Sequence, residues 1–470
     1  VIDTLFDRNV YFSEWVEYHD WISDDIRKEA ADYKHGTAVS SLIVDAPNLN
    51  KNLDDGCGRF QVRHFGVALH KGFNSFNIIK QIREIVSQNT DIKVWNLSLG
   101  SNDEIKDNFI SAEAAVLDEI QFEYDVIFVI AGTNGKISGE QRKKIGSPAD
   151  SLNSLIVNSV DFNNNPADYS RKGIVLSFFI KPDIAYYGGG NGQFINVCEP
   201  LGSARVSGTS YAAPLVARKL AYLIYIMGLS REEAKALLID SAINWNDKKT
   251  FEERILIGNG IIPVRIEDIL STPDDEIKFI VSDISEKYNS YNYNFPVPLS
   301  ENKYPYVAKA TMCYFPKCSR NQGVDYTNTE LNITFGRLTG KDIKPINGDR
   351  QHFDDAPGYI KENSARSIFR KWDNVKHISE SFTPKKRSKS VLNTSNPQWG
   401  MSVKTIERLR KRDGDGIRFG VVVTLKEING VNRIDDFIRQ ALLRGWLVNE
   451  LRVETQVDIY NRLNEEIEFN

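Results

Sequence analysis

The apolar positions change rhythm once along the chain. Through residue 270, compact apolar runs of strand length alternate with stretches whose apolar residues recur every three or four positions. Residues 60–69 read as a strand and 76–88 as a helix, with Ile78, Ile82, Ile85 and Val86 at turn spacing. A short strand at 92–97 precedes a helical pattern over 104–119. The unbroken run from Val126 to Ala131 has the character of a strand buried on both faces. Residues 155–160 form a further strand. Ser210 opens a buried helix, and the capping box Ser230-Arg231-Glu232-Glu233 starts another over 234–243. This alternation predicts an α/β unit, a doubly wound parallel sheet with helices on both faces.

Past Pro273 the period shortens to two. Segments 277–284, 304–314, 331–338, 417–425 and 447–460 are β-rich, and 431–445 reads as one short helix. They predict a C-terminal antiparallel β-sandwich. The long polar stretch at about 340–397 predicts a loop-rich insertion. The expected division is therefore one domain over 1–270 and an accessory sandwich over 275–470, without internal repeats.

Composition narrows the classes. A length of 470 residues fits two or three domains at roughly 150 residues each. The 59 basic and 63 acidic residues nearly cancel, to −4, which argues against a dedicated nucleic-acid binder. Arg218 and Lys219 interrupt the apolar stretch 210–228, so it reads as a buried helix and not a membrane span. No signal peptide is visible, and the chain begins with Val, which points to a start inside a longer protein or after a processing boundary. Four cysteines make no disulfide scaffold; Cys313 and Cys318 read as free thiols or one local disulfide. Few cysteines and no export signal tilt the expected compartment toward the cytoplasm over secretion.

Four short segments carry chemistry, in this order: Val1-Ile2-Asp3-Thr4, His35-Gly36-Thr37, Ala131-Gly132-Thr133-Asn134-Gly135, and Gly208-Thr209-Ser210-Tyr211-Ala212-Ala213-Pro214. A serine hydroxyl becomes a nucleophile when an imidazole takes its proton and a carboxylate fixes the imidazole's tautomer. A carboxamide after a strand is one way to donate to the resulting oxyanion, and a helix opening at Ser210 adds its positive end. The strand–Ser–helix elbow of α/β-hydrolases needs Gly two residues after Ser, and Ala212 stands there.

In this order the segments resemble the subtilisin-like serine peptidases, the subtilases. The seven residues around Ser210 are the most specific match; His35-Gly36-Thr37 and Asn96-Leu97-Ser98-Leu99-Gly100 also fit, with weaker echoes at Ser147-Pro148-Ala149, Tyr169-Ser170-Arg171-Lys172-Gly173 and Gly258-Asn259-Gly260. The resemblance spans about residues 1–270. It implies a subtilisin-like sheet and a serine endopeptidase working through an acyl-enzyme, with Ser210 as nucleophile, His35 as general base and Asp3 orienting it. It further implies Asn134 as oxyanion donor and Ser98, Leu99 and Gly100 as an edge that pairs with an extended peptide; the region Lys71-Gly72-Phe73 would supply the opposite edge. The implied partner is a peptide or protein substrate, with no cofactor. No metal is assigned, since Asp54 and Asp55 lack calcium-loop spacing. The runner-up is a degenerate or partner-gated subtilase that binds peptides or proteins, with a regulatory partner on the C-terminal domain. Two positions depart from the family: Leu5 and Thr133 stand where it usually has Gly. A β-branched residue cannot adopt every conformation open to Gly, so the oxyanion loop is expected to be reshaped, or closed until something binds.

Overall fold

The computed structural model describes residues 1–71, 75–135, 142–176, 178–247, 249–286, 290–340, 342–346, 370–383, 386–408 and 413–451. Seven strands form one sheet: β1 (Ile2–Thr4), β2 (Val16–Asp20), β3 (Val62–Ala68), β4 (Val94–Leu97), β5 (Ile127–Ala131), β6 (Leu155–Val160) and β7 (Ile184–Tyr187). Their order is β2-β3-β1-β4-β5-β6-β7, and every neighbouring pair is parallel. All five residues of β5 are buried, as its unbroken apolar run requires of a central parallel strand.

Helices cover both faces. On one lie α1 (Lys34–Leu49), α4 (Thr209–Ala221) and α5 (Arg231–Ser241); on the other lie α2 (Ser75–Gln88) and α3 (Ala112–Tyr124). Two short helices, α6 (Phe251–Ile257) and α7 (Ile266–Leu270), and a hairpin of β8 (Ile195–Glu199) and β9 (Gly202–Val206) complete this region. Arg218, unexpected in an apolar helix, is fully buried and grips Asp55 through Nε (2.8 Å) and Nη2 (2.9 Å). The bidentate pair accounts for both the cation and the acidic residue at 55.

Beyond residue 273 stand two antiparallel four-stranded sheets. One contains β10 (Glu276–Ile284), β13 (Tyr306–Tyr314), β16 (Val375–Ser379) and β19 (Arg418–Glu427), in the order β10-β19-β13-β16. The other contains β11 (Ser290–Phe295), β14 (Thr329–Leu338), β15 (Ile343–Pro345) and β18 (Trp399–Glu407), in the order β11-β18-β14-β15. A ribbon of β12 (Lys303–Tyr304) and β17 (Lys389–Ser390) flanks them, and α8 (Ile434–Leu443) follows. An apolar core that includes Trp399, Phe335, Phe419 and Met401 joins the sheets. The first sheet packs on α5, so Cys313, Phe315, Val375 and Val422 share the core of the α/β region.

Some sequence expectations need correction. The helix expected over 104–119 starts only at Ala112, because Ser111 caps it: Ser111 Oγ accepts from Ala114 N–H while Asp150 binds the Ser111 N–H and hydroxyl. Upstream, Ile105 N–H bonds the Ile145 carbonyl instead. Of the strand expected at 447–460, residues 447–451 are irregular and the remainder lies outside the described residues. The loop-rich stretch 340–397 contains β15, β16 and β17. All four cysteines are free thiols.

Candidate active site

The candidate residues converge at the carboxyl ends of β1, β4 and β5, where strand order reverses beside β1. Open parallel sheets present ligand-binding groups at this kind of place. Asp3 sits on β1 and is fully buried. Its Oδ1 accepts from His35 Nδ1 at 2.6 Å and from Thr4 N–H at 2.7 Å. Burial alone would raise this carboxyl; the charge and hydrogen bond of His35, with the Thr4 N–H, outweigh it and hold the group below its ordinary range. Conversely, burial would lower the His35 imidazole, but Asp3 and, less strongly, the Glu199 charge hold it above its ordinary value. With Nδ1 committed to Asp3, Nε2 is the ring nitrogen left to take a proton.

Gly36 explains how His35 reaches Asp3. A Cβ there would stand 2.4 Å from the Thr4 carbonyl oxygen and 2.7 Å from that of Leu5. Only glycine lets α1 approach β1 so closely, and Gly36 N–H then bonds Thr4 Oγ1 at 2.9 Å. Beneath, the buried His64 donates from Nε2 to the Thr4 carbonyl and accepts the Ser40 hydroxyl at Nδ1, both at 2.8 Å. Burial pushes His64 down to about 4. Leu5 is buried against Gly66 of β3, so its side chain fills space that a glycine would leave.

Ser210 lies in the first turn of α4, partly exposed. Pro214 has no N–H to bond the Ser210 carbonyl four residues back. Ser98 Oγ donates to that carbonyl instead, at 3.1 Å, and is itself held by Asn96 Nδ2 at 3.1 Å. The Ser210 hydroxyl donates to the Ser98 carbonyl at 3.3 Å rather than to His35. The His35 ring lies 5.7 Å, centroid to centroid, from Tyr211, the residue after Ser210. Asn134 completes the set. Its Oδ1 accepts from Thr209 N–H (3.0 Å) and Thr209 Oγ1 (2.9 Å). That leaves Nδ2, 3.0 Å from where a Cβ on Gly208 would stand, without a hydrogen bond among the described residues.

Ser98, Leu99 and Gly100 leave β4 without joining a further strand, and Leu99 and Gly100 have no backbone hydrogen bonds among the described residues. Of the proposed opposite edge only Lys71 is described; 72 and 73 lie outside the described residues. Arg171, quoted above only as an echo, proves to tie the Asn134 loop down: Nε donates to the Asn134 carbonyl at 2.9 Å and Nη2 to that of Asn102 at 2.7 Å. A cavity of about 630 Å³ opens beside Asn134, Tyr169 and Arg171. A larger one, about 890 Å³, lies around Trp15, Arg63 and Tyr225, and none of the four candidate groups lines it. Among the described residues no cluster of three or more His, Cys, Asp or Glu could hold a metal ion, and no helix is long and apolar enough to cross a membrane.

The family model of the subtilases matches residues 3–260. The chain belongs to the subtilase family. Subtilases are serine peptidases, and this one places its family segments at the sheet end described above. Among curated proteins it is 29% identical over 239 residues to the membrane-bound transcription factor site-1 protease of Rattus norvegicus, covering 48% of this chain and 20% of that protein. The chain thus spans about a fifth of that relative's length. Among solved structures it resembles the protease domain of PatA, solved as a serine-to-alanine mutant (19% identity, TM-score 0.43, 56% of this chain and 90% of that one). It also resembles a cold-adapted subtilisin-like serine proteinase (22% identity, TM-score 0.41, 56% and 86%).

Proposed function

We propose that this subtilase is an endopeptidase that cleaves peptide bonds through an acyl-enzyme on Ser210. The observation that carries the reading is the 2.6 Å bond from His35 Nδ1 to the fully buried Asp3. It leaves Nε2 as a base that becomes more basic as the adjacent carboxylate stabilises its protonated form. In the first step Ser210 turns from the Ser98 carbonyl, Oγ attacks the scissile carbonyl carbon, and Nε2 takes the proton. The oxyanion receives Asn134 Nδ2 and the Ser210 N–H, near the positive end of α4. His35 then protonates the leaving amine; a water deprotonated by His35 attacks the ester and frees Ser210.

The substrate lies along Ser98–Gly100, where Leu99 and Gly100 make no backbone hydrogen bonds among the described residues and can accept an extended chain. An activated peptide ester should give a burst of leaving group equal in amount to the enzyme, followed by slow turnover. Ser210→Ala should give neither. A wild-type protein that shows no burst and hydrolyses no peptide contradicts the reading.

A further inference from the structure

The larger cavity takes no part in the reaction proposed above. It holds about 890 Å³ and opens at the amino ends of β2, β3 and β4, where Val16, Val62 and Val94 line it. Small-molecule sites span about 300–1,000 Å³. The carboxyl end of α4 forms one wall through Ala217 and Ala221. Past Ala221 the helix widens into a π-helical turn, Tyr222–Ile226, closed by Met227 N–H on the Tyr222 carbonyl at 3.1 Å. Such turns are rare and recur at functional sites. This one brings Tyr222 and Tyr225 to the cavity, where Trp15 and Phe60 add two more rings. Lys93 N–H fixes Tyr225 by donating to its hydroxyl at 2.5 Å.

The charge of the lining decides what enters. Its charged side chains are the acids Glu14, Glu17 and Asp91 and the bases Arg59 and Arg63. Both bases are already spent. Arg63 is held by Glu17 at 2.9 Å and Asp91 at 3.3 Å, and Arg59 by Asp45, outside the lining, at 3.1 Å. Glu14 is exposed and has no ion pair among the described residues. Burial pushes the Val1 amine down to about 5, so it adds no charge at neutral pH. The surplus is negative and draws cations. The rings suit a cation as well: Arg59 already lies over Trp15, 5.7 Å from the ring centroid. The spare polar capacity is an acceptor, since Asn96 in the wall keeps a buried Oδ1 without a hydrogen-bond partner among the described residues. We propose that this cavity binds a small, positively charged aromatic amine, at a site separate from the one that holds Ser210. Asn96 Nδ2 also holds Ser98 Oγ, which holds the Ser210 carbonyl, so binding is to be read with Ser210 both free and blocked.

The probe is 9-aminoacridine, a planar fluorescent cation with N–H donors, titrated into the full chain and followed by fluorescence anisotropy. Binding should saturate at one molecule per chain and persist after treatment with a fluorophosphonate that blocks Ser210. Trp15→Ala and Tyr225→Ala each remove a ring face and should weaken binding by about tenfold. Tyr225 is 49% exposed, so its replacement should fold even if that of Trp15 does not. Glu14→Gln should weaken binding by about two- to fivefold, and by less at high salt. The anion 8-anilinonaphthalene-1-sulfonate should bind at least about tenfold more weakly than 9-aminoacridine. No saturable binding, wild-type affinity in the ring variants, or an anion bound as tightly as the cation overturns the inference. So does a probe displaced by the fluorophosphonate, which would place it at Ser210. Each of these outcomes leaves the peptidase reading standing, because none of the measurements depends on turnover.

Discussion

The parallel and antiparallel regions use buried polar groups in opposite ways. In the parallel region Asp3, His35, Ser210 and Asn134 gather at one end of the sheet, where His35 Nε2 and Asn134 Nδ2 make no hydrogen bond among the described residues and the Ser210 hydroxyl donates only to the Ser98 carbonyl. In the antiparallel region the polar groups at the junction point inward and pair across it. Tyr326 OH donates to Asp118 Oδ2 at 2.7 Å, Arg418 Nε to Glu232 at 2.6 Å, and Thr311 Oγ1 to Asp240 Oδ1 at 2.8 Å. Lys309 pairs with the same Asp240 at 3.2 Å, and Asn374 Nδ2 donates to the Leu152 carbonyl at 3.1 Å. The contrast teaches that the candidate site and the buried ion pairs are separated in this molecule: one region gathers the candidate groups at a sheet end, and the other satisfies the charges on its back.

The most drastic way to break this contrast is to cut the chain near Pro273. Nine of the eleven residues of α5, including Glu232, Lys235 and Asp240, are buried, and removing the sandwich leaves Glu232 and Asp240 without their cross-junction partners. The cut also exposes the apolar face of α5 that packs on Cys313, Phe315, Val375 and Val422, at about 25 cal/mol per Å², against a domain stability of only about 5–15 kcal/mol. The fragment 1–271 should show no cooperative thermal transition. A fragment that melts sharply near the full chain's midpoint would show the two regions to be energetically independent.

Next in size is Asn134→Leu. In the proposed mechanism its donor acts on charge that develops only in the transition state, so kcat should fall with KM nearly unchanged. The expected loss is about 10²–10³, the scale known for the corresponding donor in subtilisin. Full turnover in this variant would place the oxyanion donor elsewhere.

A smaller effect separates structure from catalysis within the parallel region. His64 is neutral in the fold, pushed to about 4, whereas the unfolded chain binds a proton near 6.5. As pH falls from 6.5 toward 4 the unfolded state gains the proton first, so stability drops, by on the order of 3 kcal/mol across that window. Denaturant melts at pH 7 and pH 4.5 should show the drop, and His64→Gln, able to keep both bonds, should flatten it. An identical slope in the variant would assign acid lability to other groups. Smallest is the placement of the activity profile. Asp3 holds His35 above its ordinary 6.5, so rate should rise with pH through a midpoint above that value. Asp3→Asn should move the midpoint down in whatever activity remains.

Much of the site is legible in the sequence because its chemistry needs unusual backbone. Gly36 must be glycine under the Thr4 carbonyl, Pro214 must free the Ser210 carbonyl, and Ser98 must then receive it; such demands leave fixed letters at fixed spacing. Asp3 is legible only through its order relative to His35 and Ser210, since β1 is three residues long and shows no periodicity. The helix expected at 104–119 fails because apolar spacing continues upstream of the cap at Ser111, and the buried Ile105 and Ile110 serve a loop. In the second region β18 is missed: Trp399–Glu407 lies just past a polar stretch, and its pairing with β14 is set by tertiary contacts. Thr133 marks the limit of motif reading. The sequence shows the departure from glycine, but only the packing on Gly100 and the bond from Gly146 show where the side chain goes.

The central claim is that Asp3, His35 and Ser210 make one activated serine. A fluorophosphonate probe tests it most directly, because it reacts with an activated serine regardless of peptide preference. Intact mass should rise by one probe per wild-type chain, peptide mapping should place the adduct on Ser210, and Ser210→Ala should take up none. Labelling that persists in Ser210→Ala, or a folded wild-type chain that takes up no probe at all, would contradict the account.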